Sequence, residues 1–333
     1  MKPRSLKINF INGLHPKHWA TWLGFFVLWL LIHLPYSLLV KLGSPLGALM
    51  HHFAHKRRHV TQTNLALVFP ELSQSERDQL TRRVFRSVGI SFLETPLAWW
   101  GSKKRLARLN NIEGLEHLTA ALAEGRGVIL LTPHFTCLEL GARLLALQHP
   151  FAVMYRQHRN LPFEMMMQHN LKQHFPAAIP RHDVRSLLRA LKKNQACWYA
   201  PDQDFGPEHS LFAPFMGVTA ASLEAPMRLA KMSGAKVVPF FPVRRKDDRG
   251  YQLTLLPALD NFPSGDEPSD LLADATRINA IIEKEIRRSP DQYLWLHRRF
   301  KTRPEGESGL YGWADKKRKK NVPQNSVNDE TAS

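Results

Sequence analysis

Apolar and polar positions divide this chain into three stretches. Residues 19–40 contain no Lys, Arg, Asp or Glu, and one helix of that length would extend about 33 Å, enough to cross a bilayer core. Trp19, Trp22 and Tyr36 lie near its ends, as interfacial aromatics do. No small-residue cleavage site follows, so the pattern predicts a retained membrane helix rather than a removable signal. His33 and Pro35 interrupt the run, and a shallower interfacial helix ending near Leu34 is the competing reading. Residues 42–100 read as helices. Ser73 and Glu76 have capping-box spacing, and Leu80, Val84, Val88 and Phe92 recur every fourth residue, as core-facing positions of a helix do.

Beyond residue 110 the period changes. Apolar runs at 128–131, 151–155, 196–200, 236–241 and 251–256 have strand length. They alternate with amphipathic stretches at 183–193, 222–232 and 270–288. That alternation predicts an α/β fold with a mainly parallel sheet covered on both faces, and in such sheets chemistry gathers beyond the carboxyl ends of strands. The expected organisation is an N-terminal tail and membrane-anchoring helix over 1–41, a catalytic domain over 42–305, and a basic, disordered tail over 306–333 that carries the charge run at 316–320.

The formal net charge of +17 at pH 7 calls for acidic partners. No nucleic-acid-binding motif or aromatic platform accompanies it, which favours a membrane surface and anionic substrates over nucleic acid. The two cysteines, Cys137 and Cys197, are isolated and apolar-flanked. They read as buried thiols in a reducing compartment, with a single disulfide as the alternative.

Candidate chemistry concentrates at residues 127–143, GVILLTPHFTCLELGAR, which read as a strand, a tight turn and a helix. Positions five apart lie about 140° apart around a helix, so His134 and Glu139 meet only if His134 sits in the turn. A glutamate in the first helical turn could then hold one imidazole nitrogen while the other faces outward as a base. The same residues also fit a capping box, with Thr136 and Glu139 serving the backbone and His134 an ordinary turn residue. A second strand end leads into residues 201–207, PDQDFGP, where Asp202 and Asp204 are either turn formers or, for Asp202, a carboxylate beside the catalytic pair that orients a basic or hydroxyl group of the acceptor.

The span from His134 to Glu139 resembles the H-x4-D/E motif of glycerolipid-type acyltransferases, and the surrounding sequence resembles the late acyltransferases of lipid A biosynthesis in Gram-negative bacteria. Matching stretches are HPKHW at 15–19, NLALVFPE at 64–71, WYAPDQDFG at 198–206, PFFP at 239–242 and YLWLHRRFKTRP at 293–304. The resemblance implies a glycerolipid-acyltransferase-like α/β/α sandwich. It also implies transfer of a fatty acyl chain, lauroyl favoured and palmitoleoyl next, from acyl carrier protein to a hydroxyacyl chain of Kdo-bearing lipid IVA at the bacterial inner membrane, with the catalytic domain cytoplasmic. In that scheme His134 is the base, Glu139 orients it, and Asp202 ranks ahead of Asp204. The acyl carrier protein thioester supplies its own leaving group, so no metal or other cofactor is called for.

One departure concerns arginine. Where relatives carry a Gly-Arg-x-Arg stretch, this chain reads NLKQ at 170–173, and lysine does not reproduce a planar bidentate contact. Arg156, Arg159 and Arg181 are the candidate stand-ins. Arg298, Arg299 and Lys301 follow an apolar run and suit the phosphate and carboxylate groups of a lipid A precursor. A hydrolase could use the same alternating pattern, but no G-x-S-x-G surrounds any serine. A non-catalytic membrane protein that binds anionic lipid would need only the anchor and the basic clusters.

Overall fold

The computed structural model describes residues 10–208 and 210–312. The basic run at 316–320 lies outside the described residues. The helical part comprises α1 (Phe10–Gly13), α2 (Trp19–Leu31), α3 (Tyr36–Phe53), α4 (His55–Val68), α5 (Gln74–Trp100) and α6 (Lys103–Ala107).

The expected single helix over 19–40 is two helices. Pro35, which has no N–H to donate, stands at the N-cap of α3. The Arg105 guanidinium donates to the carbonyls of Ile32 and Leu34, taking up acceptors that the end of α2 leaves free. No helix among the described residues is long and apolar enough to cross a membrane. Instead α2 lies against the body, with Phe25 buried among Trp99, Trp100 and Phe163 at centroid distances of 6.0–6.2 Å. The Trp99–Trp100 pair is therefore the seat of α2.

Helix α3 crosses α5 at very close range. A Cβ on Gly47 or Gly89 would overlap the backbone of the opposite helix, so only glycine permits this approach. Ser73 and Glu76 form the expected capping box, the Ser73 N–H donating to Glu76 at 2.7 Å. Leu80 and Val84 are buried, but Phe92 is 55 % exposed. A strict fourfold spacing drifts about 40° per step, so three steps carry Phe92 about 120° off the core face. Leu93 and Leu97 take the buried positions.

The rest of the chain alternates β1 (Asn110–Glu113), α7 (Leu115–Ala123), β2 (Val128–Leu131), α8 (Leu138–Ala146), β3 (Ala152–Tyr155), α9 (Leu161–His174), β4 (Ala178–Pro180), α10 (Val184–Lys192) and β5 (Ala196–Tyr199). The hairpin β6 (Ser210–Phe215) and β7 (Val218–Leu223) follows, then α11 (Ala225–Ser233), β8 (Lys236–Arg244), β9 (Tyr251–Leu255) and α12 (Pro268–Arg288). Seven strands form one sheet in the order β1-β9-β8-β2-β5-β3-β4. Only the β8–β9 pair is antiparallel. Every residue of central β2 is buried, as an all-apolar strand covered on both faces must be. Cys137 and Cys197 are buried free thiols.

Two buried polar joints lock the helices to the sheet. Glu94 of α5 accepts from Arg244 Nε at 2.9 Å and Nη2 at 2.5 Å, from Tyr36 Oη at 2.7 Å, and from Tyr251 Oη. Asn64 of α4 donates to the carbonyls of Trp295 and His297, both at 2.8 Å, and its Oδ1 accepts from Tyr311 Oη at 2.5 Å. The stretches at 64–71 and 293–304 are thus two sides of one joint. Because Tyr311 is fully buried, the folded body continues past the boundary expected at 305.

Candidate active site

Strands β2 and β5 are parallel neighbours with Leu131 opposite Tyr199. Three residues beyond Leu131 comes His134; three beyond Tyr199 comes Asp202. Equal offsets from a paired rung bring the two side chains together at the carboxyl edge of the sheet. His134 Nδ1 lies 2.6 Å from Asp202 Oδ1, and the His134 backbone N–H donates to Asp202 Oδ2 at 2.9 Å. An ionised carboxylate only accepts, so neutral His134 carries its proton on Nδ1 and presents Nε2 outward.

Burial of the Asp202 carboxylate, 1 % exposed, raises its pKa, but the adjacent His134 ring and N–H outweigh this and hold it at about 2. Burial lowers the His134 pKa, and Asp202 overrides that, leaving it above the ordinary 6.5. The aspartate thus adds stability above 3.8 that is lost as pH falls toward about 2. The histidine adds stability below 6.5 that is lost as pH rises through its elevated value. Both contributions coexist between 3.8 and 6.5, where the pair is doubly ionised.

The turn carrying His134 is clamped from one side. Leu294 N–H donates to the His134 carbonyl at 2.9 Å, Thr136 N–H donates to the Gln292 carbonyl at 2.7 Å, and Phe135 bridges Tyr293 as a short antiparallel rung. The clamp fixes the backbone of a residue whose side chain remains 23 % exposed.

Glu139 makes neither of the bonds expected of it. It sits in the first turn of α8, whose N-cap is Cys137 without a side-chain cap, and the Thr136 hydroxyl is buried with no partner among the described residues. The capping box is therefore absent. The bond to His134 is absent too, because Asp202 already occupies Nδ1. Glu139 opens to solvent yet stands in a crevice crowded by protein, and this poor solvation raises its carboxyl pKa. No basic or donor group among the described residues offsets that cost.

Asp204, the second acid of the turn, is wholly engaged. It accepts from Thr302 N–H at 2.6 Å, Thr302 Oγ1 at 2.8 Å and Gly206 N–H at 3.0 Å, with Lys301 Nζ at 3.3 Å. Asp204 and Lys301 thus hold the C-terminal loop. Arg299, expected to meet substrate, is 1 % exposed. It donates to the Ala221 carbonyl at 2.6 Å and Ser222 Oγ at 3.2 Å while lying over the Phe215 ring. That corrects its assignment, since a guanidinium spent inside the fold has no access to substrate phosphate. Arg298 is half-buried in the same loop.

Arg156 and Arg181 are exposed just beyond the carboxyl ends of β3 and β4, on the same edge as His134, with Arg181 over the Phe205 ring at 5.8 Å. Lys172, where the resemblance called for an arginine, lines a separate cavity of about 170 Å³ with Tyr155, Gln168 and Phe175. Sequence reasoning missed His297. Its Nε2 accepts from the Asp204 N–H at 3.1 Å, and the signal available was its place in the 293–304 stretch. Among the described residues no cluster of three or more His, Cys, Asp or Glu could hold a metal ion.

The fold and the pair are those of an α/β enzyme with a histidine–carboxylate couple at the carboxyl edge of a parallel sheet. The chain belongs to the bacterial lipid A biosynthesis acyltransferases, whose family model matches residues 8–302. It is 41 % identical over 299 residues to the lipid A biosynthesis lauroyltransferase of Escherichia coli K12, covering 90 % of this chain and 96 % of that one. It is equally similar, 41 % over the same coverage, to the palmitoleoyltransferase of the same organism. The myristoyltransferase of that organism is 29 % identical, covering 89 % of this chain and 91 % of that one.

Proposed function

We propose that this acyltransferase moves a lauroyl or palmitoleoyl chain from acyl carrier protein to the hydroxyl of a hydroxyacyl chain on Kdo-bearing lipid IVA, lauroyl being favoured. The observation that carries the mechanism is the 2.6 Å contact between His134 Nδ1 and Asp202 Oδ1. His134 Nε2 takes the acceptor hydroxyl proton as that oxygen attacks the thioester carbonyl. Asp202 holds the ring and stabilises the imidazolium. On collapse of the tetrahedral intermediate the C–S bond breaks, and the proton passes to the departing thiolate. Glu139 takes a role different from the one its spacing suggested. A carboxylate without a partner among the described residues, in the first turn of the helix that follows the base, is suited to accept a hydrogen bond from the acceptor substrate.

Attachment to the inner-membrane surface on the cytoplasmic side is part of the proposal. Its support is the outer face of α2, where Trp19, Leu23, Phe26, Val27 and Leu30 are 46–65 % exposed at helical spacing while Phe25 on the opposite face packs inward. Such a stripe suits an interfacial helix lying in the headgroup region, and a net charge of +17 suits anionic lipid and an acidic carrier. Arg156, Arg181 and Arg298 are the cations proposed to meet the precursor's phosphates.

The two Escherichia coli relatives at 41 % identity transfer different chains by name, so overall similarity does not select between them. Mass spectrometry of lipid A from cells with and without the protein tests the reading. The expected result is the added mass of one lauroyl ester, or of one palmitoleoyl ester; identical spectra would overturn it.

A further inference from the structure

The C-terminal loop carries a second histidine against the same acidic turn, and its placement is fixed from several directions. The His297 N–H donates to the Leu294 carbonyl at 3.1 Å, and Leu294 N–H in turn donates to His134. The His297 carbonyl accepts from Asn64 Nδ2 at 2.8 Å and from the Arg299 N–H at 3.0 Å. One end of the ring is held by the Asp204 N–H, 3.1 Å from Nε2. A backbone N–H can only donate, so Nε2 must be the acceptor and the neutral ring must carry its proton on Nδ1. Among the described residues no acceptor engages that Nδ1–H, and His297 is only part-buried.

We infer that His297 is a further catalytic residue of the acyl transfer, a donor whose Nδ1–H bonds the thioester carbonyl oxygen as it becomes an oxyanion. The inference rests on the reading of His134 as the base. No proton leaves His297. The carbonyl π electrons move onto oxygen as the acceptor oxygen bonds to carbon, the Nδ1–H stabilises that charge, and the carbonyl reforms as the C–S bond breaks. A donor fixed before the reaction and aimed at developing charge acts without reorganisation.

The electrostatics agree with this division of labour. Burial drives the His297 pKa down to about 4, against the partial opposition of Asp202 and Asp204, with His134 and Arg299 adding to the lowering. Asp202 raises His134 above its ordinary value. Two histidines of one site are thus pushed apart, one toward an effective base and the other toward a donor that stays uncharged. His297 owes its tautomer to Asp204, which explains why the second acid of the turn is tied so completely to the loop.

Two substitutions separate donation from loop holding. Asparagine places its amide nitrogen near the Nδ1 position but does not reach the Asp204 N–H. Glutamine reaches that N–H with its amide oxygen but leaves the Nδ1 position empty. Steady-state kinetics with lauroyl-acyl carrier protein are measured on full-length H297N, H297Q and H134A, together with thermal melts. For H297Q the expected result is a kcat loss of about 100-fold or more with KM little changed, the size seen on removing one oxyanion donor; H297N stays within about tenfold of the parent. The reverse order, or a loss in H297Q matched by a fallen melting temperature, would make His297 a loop anchor and overturn the inference. Parent-like H134A would instead overturn the base on which it rests, and an inactive H134A with a parent-like H297Q would defeat the inference alone.

Discussion

Two of the buried carboxylates that pair with a basic side chain, Glu94 and Asp202, have opposite uses. Glu94 is sealed. Its partner Arg244 has a side chain only 2 % exposed, and the remaining acceptor capacity of Glu94 is filled by Tyr36 and Tyr251. Asp202 is equally buried, but the ring it holds is 23 % exposed, with its second nitrogen unclaimed among the described residues. Burial and pairing are common to both, so neither identifies a site. What separates them is whether the far side of the partner ends in protein or in an open crevice.

The largest expected effect that sharpens this contrast is on His134. His134→Ala should abolish turnover, while its melting temperature falls less than that of a broken sealed pair, because Asp202 keeps the backbone N–H of residue 134 and the lost ring is 23 % exposed. Substantial residual turnover would remove His134 from the mechanism. The sealed pair should answer in the opposite currency. Glu94→Ala leaves Arg244 charged and buried without its carboxylate, a loss on the order of 3–5 kcal/mol, read by urea denaturation. The fraction that remains folded should keep its specific activity.

Asp202→Asn comes next. Turnover should fall by about 100-fold or more as the ring loses its orienting charge, and the pH profile should move in a definite direction. In the parent, activity is lost as pH drops through a His134 value held above 6.5 by Asp202. In the variant only burial acts on the ring, which lowers that value, so the residual activity should persist to lower pH. An unmoved acid limb in kcat/KM would show that Asp202 does not set the titration.

The smallest effect belongs to Glu139, which has neither a sealed partner nor a cap to lose. Glu139→Gln should melt at or slightly above the parent at neutral pH, because it removes a charge that the crevice solvates poorly. Its turnover should fall about tenfold to hundredfold, the range for losing a charged hydrogen bond of about 1.5–3 kcal/mol. A clear drop in melting temperature would restore the capping role.

Much of this site was legible in the residue pattern. The strand–turn–helix around His134 and the acid-bearing turn at 201–207 both lie where apolar runs end, and strand ends are where an α/β sheet does chemistry. His297 was harder to find, since its signal was only membership of a basic stretch. Arg299 was misread for the opposite reason. An arginine at a strand end has the same letters whether it faces a phosphate or, as here, the Ala221 carbonyl and the Phe215 ring.

By itself the sequence determined the alternation of strands and helices, the mainly parallel sheet, and the position of His134 in a turn ahead of its helix, whereas the rank of Asp202 above Asp204 came only from the family resemblance. Tertiary structure alone decided which carboxylate holds the histidine. Local spacing favoured Glu139, five residues away, whereas β5 inserts beside β2 and delivers Asp202 from 68 residues downstream. In the apolar run at 19–40, Pro35 marks the break in the sequence, and the tertiary structure decided what satisfies it, since Arg105 from α6 takes up the carbonyls of Ile32 and Leu34. The physical reason is the same in both cases. Periodicity encodes which face of an element is buried, but the partner that satisfies a particular donor or acceptor is chosen by strand order and helix packing, which no single stretch of sequence carries.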